Sequence, residues 1–149
     1  MIHAVQLAQL NIGRLVAPLA DPQIKEFVDN LDPINALAEQ SAGFIWRLKG
    51  DGNDATSIRA FDDDLMIVNM SVWRDFESLK AYVYQSDHTQ FVRERKKWFS
   101  ALGEMHMALW WVPAGHVPTV AEALDRLAHL RQHGETAHAF TFRKLFPEN

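Results

Sequence analysis

Nine consecutive residues, 65–73, constrain the architecture of this chain more than any other stretch. Positions 66, 68, 70 and 72 are Met, Val, Met and Val, whereas 65, 67, 69, 71 and 73 are Leu, Ile, Asn, Ser and Trp. A period of two sends successive side chains to opposite faces of a strand. One face is therefore wholly apolar. The other sets an amide, a hydroxyl and an indole in a row, about 7 Å apart. Large exposed apolar patches are rare on monomers, so a sheet built on this strand has to cover both faces. The mixed face is expected to be the one the chain's helices leave open, to be met by a second copy, an internal pocket, or both.

The remaining elements follow from local signals. Residues 3–11 alternate loosely and read as a first strand. Asp21-Pro22 supplies an N-cap and a first-turn proline. Ile24, Phe27, Val28, Leu31, Ile34, Leu37 and Ala38 then recur at helical spacing. Pro33 is expected to kink or interrupt that helix, and Gly43 to end it. Residues 44–49 read as a short strand, with Phe44, Trp46 and Leu48 on one face and Ile45, Arg47 and Lys49 on the other. The Gly-, Asn- and Asp-rich residues 50–64 form a loop. Asp75 caps a second helix carrying Phe76, Leu79 and Val83, then Phe91, Val92, Phe99 and Leu102, with a break near residues 85–87 and an end at Gly103. Residues 106–112 make another strand. Thr119 and Glu122 form a capping box that opens a third helix striped by Val120, Leu124, Leu127 and Leu130, and Gly134 closes it. Residues 137–142 read as a terminal strand.

The order is βα, ββα, β and an αβ appendage. It predicts an α+β, ferredoxin-like split βαβ sandwich: an antiparallel sheet with helices on one face, plus a C-terminal αβ extension. The 149 residues, 48% of them hydrophobic, suit one domain spanning 1–149. A net charge of -4 and a pI near 5.9 exclude the basic face of a nucleic-acid binder. With no cysteine there are no disulfides, thiolate metal sites or Cys nucleophile. No run of about 18 apolar residues and no secretory leader pattern occurs, so neither a membrane nor export is expected, and the expected location is cytoplasmic.

Several segments resemble a known family: residues 11–14 (Asn-Ile-Gly-Arg), 43–47 (Gly-Phe-Ile-Trp-Arg) and 68–73 (Val-Asn-Met-Ser-Val-Trp). His88 with residues 95–99 (Arg-Lys-Lys-Trp-Phe), residues 109–113 (Leu-Trp-Trp-Val-Pro) and 139–142 (Ala-Phe-Thr-Phe) extend the resemblance over nearly the whole chain. The chain resembles a bacterial domain-of-unknown-function family within the dimeric α/β-barrel superfamily. That superfamily includes antibiotic-biosynthesis monooxygenases, muconolactone isomerases and haem-degrading monooxygenases. The resemblance implies a homodimer through the sheet face, a small-molecule pocket between sheet and helices, and oxidation of aromatic substrates with no bound cofactor. The haem-degrading branch implies an alternative, haem held by a histidine, with Asn69 or Asn11, Trp73 and His88 supplying the residue types.

The candidate site residues are few. His88 shares a helical face with Tyr84, Phe91, Val92 and Arg95, and is the candidate catalytic proton-transfer group, or a haem ligand. Arg95 and Arg47 are candidate anion partners; a buried Arg47 would need a carboxylate from the protein or from a substrate. Asn69, Ser71 and Trp73 are candidate orienting groups, since buried polar groups require partners. Trp98 and Trp110 are aromatic wall candidates for a flat ligand, the competing reading being ordinary core. His129 and His133 have the i, i+4 spacing of metal ligands but share their side with Glu122 and Arg126, and read as a solvated face; no metal is expected. The expected function is a small-molecule-binding protein, monooxygenase-like or isomerase-like, acting on a flat or anionic substrate, or else a haem-binding protein or a non-catalytic homodimer.

Overall fold

In a computed structural model, residues 5–50, 52, 54–85 and 94–146 are described. Strand β1 (Val5–Leu15) leads through a 3-10 turn (Pro22–Ile24) to helix α1 (Lys25–Gln40). Strands β2 (Phe44–Arg47) and β3 (Met66–Trp73) follow, then helix α2 (Phe76–Gln85), a 3-10 turn (Arg95–Lys97), β4 (Phe99–Ser100), β5 (Met107–Pro113) and helix α3 (Val120–His133). No helix among the described residues is long and apolar enough to cross a membrane.

The sheet is antiparallel. β1 is its central strand, pairing β3 on one side and both β4 and β5 on the other, while β2 forms the edge beyond β3. This is the ferredoxin-like arrangement the element order predicts, with helices α1 and α2 on one face. The local signals act as expected. The Asp21 carboxylate accepts from the Gln23 N–H, and the Thr119 hydroxyl accepts from the Glu122 N–H at 3.1 Å. Gly134 closes α3 with φ +75°, a conformation that favours glycine.

Four expectations are corrected. Helix α1 runs through Pro33 without interruption, because Phe27 and Ala38 on either side are buried and hold its flanking turns to the body. Phe99 is not on a helical stripe: it belongs to β4 and pairs with Leu15, its ring lying where a side chain at Gly13 would point. The terminal strand shrinks to isolated bridges, of which Leu109 with Phe140 ties the C-terminal segment to β5. The fourth concerns the faces. The mixed, odd-numbered face of β3 lies under α1 and α2. The apolar face is closed from within the chain: Leu10, Val68, Met70, Val72 and Trp110 form one buried cluster with Ala123, Leu127 and Leu130 of α3 and with Ala55 of the loop. Among the described residues both sheet faces are therefore met by elements of the chain itself, which corrects the expectation that its helices leave the mixed face open.

Candidate functional site

On the α1/α2 side the sheet's polar residues form a floor. Gln9 stands opposite Ser71 in the β1–β3 ladder, and Asn11 opposite Asn69. The Gln9 Nε2 donates to Asn69 Oδ1 at 2.7 Å and to Ser71 Oγ at 2.8 Å, and the Trp73 indole N–H donates to the same Ser71 oxygen at 2.8 Å. Gln9 and Ser71 are less than a tenth exposed, so these bonds satisfy groups that water does not reach. The floor is a network with its hydrogen-bond directions set before any ligand arrives.

A register shift in β2 decides what joins this floor. Phe44 pairs with Trp73 and Arg47 with Ser71, the irregularity falling between Phe44 and Trp46. The shift breaks strict alternation. Phe44 and Arg47 both reach the cavity, whereas Trp46 packs on the α3 side. Arg47 is almost fully buried, and its guanidinium meets the Glu39 carboxylate at 3.3 Å. That is the protein carboxylate a buried arginine requires.

Aromatic groups line the wall. The Trp73 ring stacks on Tyr82 of α2 with centroids 5.0 Å apart, and Phe44 meets Trp73 edge-on at 5.5 Å. Tyr82 donates its hydroxyl to the Ile34 carbonyl of α1 at 3.2 Å, which joins the two helices over the floor. Burial drives its ionisation far above the ordinary tyrosine range, the positive charge of Arg47 acting in the opposite sense. This phenol is neutral at neutral pH.

Between floor and helices lies a cavity of about 340 Å³, at the small end of small-molecule sites. At its far end stand Arg95, Phe99 and His106. The Arg95 guanidinium lies over the Phe99 ring, 4.8 Å from its centroid. Arg95 is half-buried, which lowers its pKa, and no carboxylate among the described residues pairs with it. His106 is held below the ordinary histidine pKa first by burial and then by the charge of Arg95. Its Nδ1 is sealed from water and has no hydrogen-bond partner.

Of the residues named from the sequence, the cavity gathers Arg47, Asn69, Ser71, Trp73 and Arg95. It does not gather two of the tryptophans. Trp98 is buried beside Leu15, Ile24 and Phe27, its ring 5.7 Å from that of Phe27. Trp110 is on the α3 side, donating its indole N–H to Glu122 at 2.9 Å. His88 lies outside the described residues. Gln9, Tyr82 and His106 were not named from the sequence. For Gln9 a signal existed, an amide between Ala8 and Leu10 on a buried strand; for Tyr82 and His106 the helix-to-sheet placement decides. His129 and His133 lie with ring centroids 4.5 Å apart, their planes tilted by 44°. Among the described residues no group of three or more His, Asp or Glu could hold a metal ion.

No curated protein matches the chain in sequence. Solved structures share its fold. PA3566 from Pseudomonas aeruginosa is 12% identical, covering 78% of this chain and 100% of its own, with a TM-score of 0.50. SnoaB from Streptomyces nogalater, a cofactor-independent oxygenase, is 16% identical, covering 76% of this chain and 97% of its own, with a TM-score of 0.51. At such identities the likeness establishes fold, not activity. The sequence itself goes further: the model of the family described as a domain of unknown function (DUF3291) matches residues 6–149, and the chain belongs to that family.

Proposed function

We propose that this protein binds a flat, anionic aromatic molecule in the cavity between its sheet and α1/α2, and acts on it as a cofactor-independent, monooxygenase-like or isomerase-like enzyme. The observation that carries the reading is Arg95. A half-buried guanidinium stacked on Phe99, with no carboxylate among the described residues paired to it, favours an anion that the ligand would bring. Arg47 differs, because Glu39 already neutralises it. The ligand's ring plane would lie along the Trp73–Tyr82 wall, and the Gln9–Asn69–Ser71 network would orient its polar edge. The likeness in fold to an oxygenase that works without a cofactor supports the same class of chemistry here.

The roles read from the sequence narrow accordingly. Arg95, Asn69, Ser71 and Trp73 bind the substrate, Arg47 sets the field at one end, and His88, outside the described residues, is one candidate proton-transfer group. Titration with 1-naphthoate, followed by the indole N–H resonances, tests the binding step. The Trp73 signal should move and that of Trp110 should not; movement of Trp110 with Trp73 unmoved contradicts the location. Oxygen uptake with 1-hydroxy-2-naphthoate above the protein-free rate, or conversion to an isomer, tests turnover. Binding with neither outcome leaves a ligand-binding module in place of an enzyme.

A further inference from the structure

His106 has a surrounding that its place in the fold does not require. It precedes β5, and its backbone carbonyl accepts from the Ile12 N–H at 2.8 Å, which anchors the residue through its main chain. The ring contributes nothing to that anchor. It lines the cavity, its Nδ1 is sealed from water with only the residue's own backbone carbonyl beside it, and so Nε2 is the nitrogen left to meet whatever occupies the space. Buried polar atoms without partners are uncommon and call for a cause. Beside it stands Arg95, which the reading above makes the anion partner.

We propose that His106 is the proton acceptor for an acidic hydroxyl, phenolic or enolic, on the bound molecule: the O–H proton passes to Nε2, and the oxyanion left behind is held by Arg95. The O–H bond breaks, an N–H bond forms, and the charges end as an imidazolium and an oxyanion beside a guanidinium. No other reactant is needed. The inference rests on the cavity being the ligand site.

The electrostatics set the resting form of the acceptor. The charged groups around His106 are Arg95, from the turn before β4, and Arg131, from the last turn of α3, which is paired with Glu104 at 2.9 Å. Burial and these two cations favour the neutral imidazole, its own backbone carbonyl acting the other way. A neutral imidazole is a base ready to act near neutral pH. An arriving oxyanion reverses the balance, because it offsets Arg95 and attracts the new imidazolium. Proton uptake and anion binding thus reinforce each other.

4-Nitrophenol and 4-nitroanisole separate this inference from the cavity reading. At a pH below the probe's own pKa, 4-nitrophenol bound to the wild-type protein should show the absorbance of its phenolate. In His106→Asn the bound probe should stay protonated, with the phenolate fraction down about tenfold, as one unit of pKa corresponds to. 4-Nitroanisole has no proton to give and should bind both proteins alike. If both probes bind but 4-nitrophenol stays protonated in the wild type, or stays ionised in His106→Asn, the proton-acceptor role is overturned and the cavity stands. If neither probe binds, both fall. Should His106→Asn fail to fold, the imidazole nitrogen resonances of the wild-type protein decide the matter: a shift of His106 to the imidazolium form on adding 4-nitrophenol supports the transfer, and an unchanged neutral ring refutes it.

Discussion

The two sides of one sheet use the same strands in opposite ways. On the α3 side Leu10, Val68, Met70, Val72 and Trp110 meet Ala123, Leu127 and Leu130, with one polar bond, from Trp110 to Glu122, at the margin. On the α1/α2 side the alternate residues of the same strands are Gln9, Asn11, Asn69 and Ser71, and a cavity of about 340 Å³ separates them from the helices. Close packing is what core stability rests on, and a void loses the contacts of its lining. The difference teaches that one face is closed by α3 in a single cluster, whereas on the other two separate buried clusters flank a cavity with a polar floor.

The largest expected effect lies on the packed side. Leu127→Ala opens a hole in a dry cluster and should lower stability by about 2–5 kcal/mol, read as a fall in the urea midpoint, with 1-naphthoate affinity unchanged once the protein is folded. A loss well under 1 kcal/mol would mean that α3 is loosely held and that the two sides are not so different.

Ser71→Ala comes next. It removes the oxygen shared by Gln9 and the Trp73 indole, and Trp73 is left with a buried, unpaired donor. The expected loss is about 1–3 kcal/mol in the same denaturation experiment, and ligand binding should weaken as well. Loss of stability with binding untouched would make the floor merely structural.

Tyr82→Phe tests the roof more gently. It deletes the hydrogen bond to the Ile34 carbonyl and keeps the stack on Trp73, so about 0.5–1.5 kcal/mol should be lost.

The smallest effect is a pH dependence on the packed side. Burial would raise the Glu122 pKa, but hydrogen bonds from His116 and Trp110 outweigh it and hold this carboxyl below its ordinary value. A depressed folded-state pKa stabilises above the unfolded value and is lost as pH falls through the folded one. Glu122 should therefore contribute at neutral pH and cease to contribute in acid, by less than about 1 kcal/mol. Urea midpoints of the wild type and Glu122→Gln should converge as the solution is acidified; a constant gap would remove the titration from the account.

Much of this contrast was legible in the sequence. The alternation of residues 65–73 announces two unlike faces, and Asp21, Thr119 and Gly134 mark element ends by chemistry that acts within one turn. Which face meets which helix was not legible, because nothing local in β3 distinguishes a guest's side from a partner's side. The β2 register shift was hidden for the same reason. Strict alternation put Phe44 with Trp46, whereas pairing with β3 sends Phe44 and Arg47 together to the cavity. Phe99 suited a helical stripe until β1 offered it a ladder partner and the space over Gly13. Trp98 and Trp110 met the description of aromatic walls equally well; only tertiary packing sends both into the core.

The central claim is that the cavity selects negative charge through Arg95, and one comparison of affinities addresses it. Calorimetric titration of the wild type with 1-naphthoate and with its neutral isostere 1-naphthamide should favour the anion by at least about tenfold, the weight of one charged hydrogen bond. In Arg95→Gln that preference should vanish while the amide binds as before. Equal affinities in the wild type, or a preference for the anion that survives in Arg95→Gln, would contradict it.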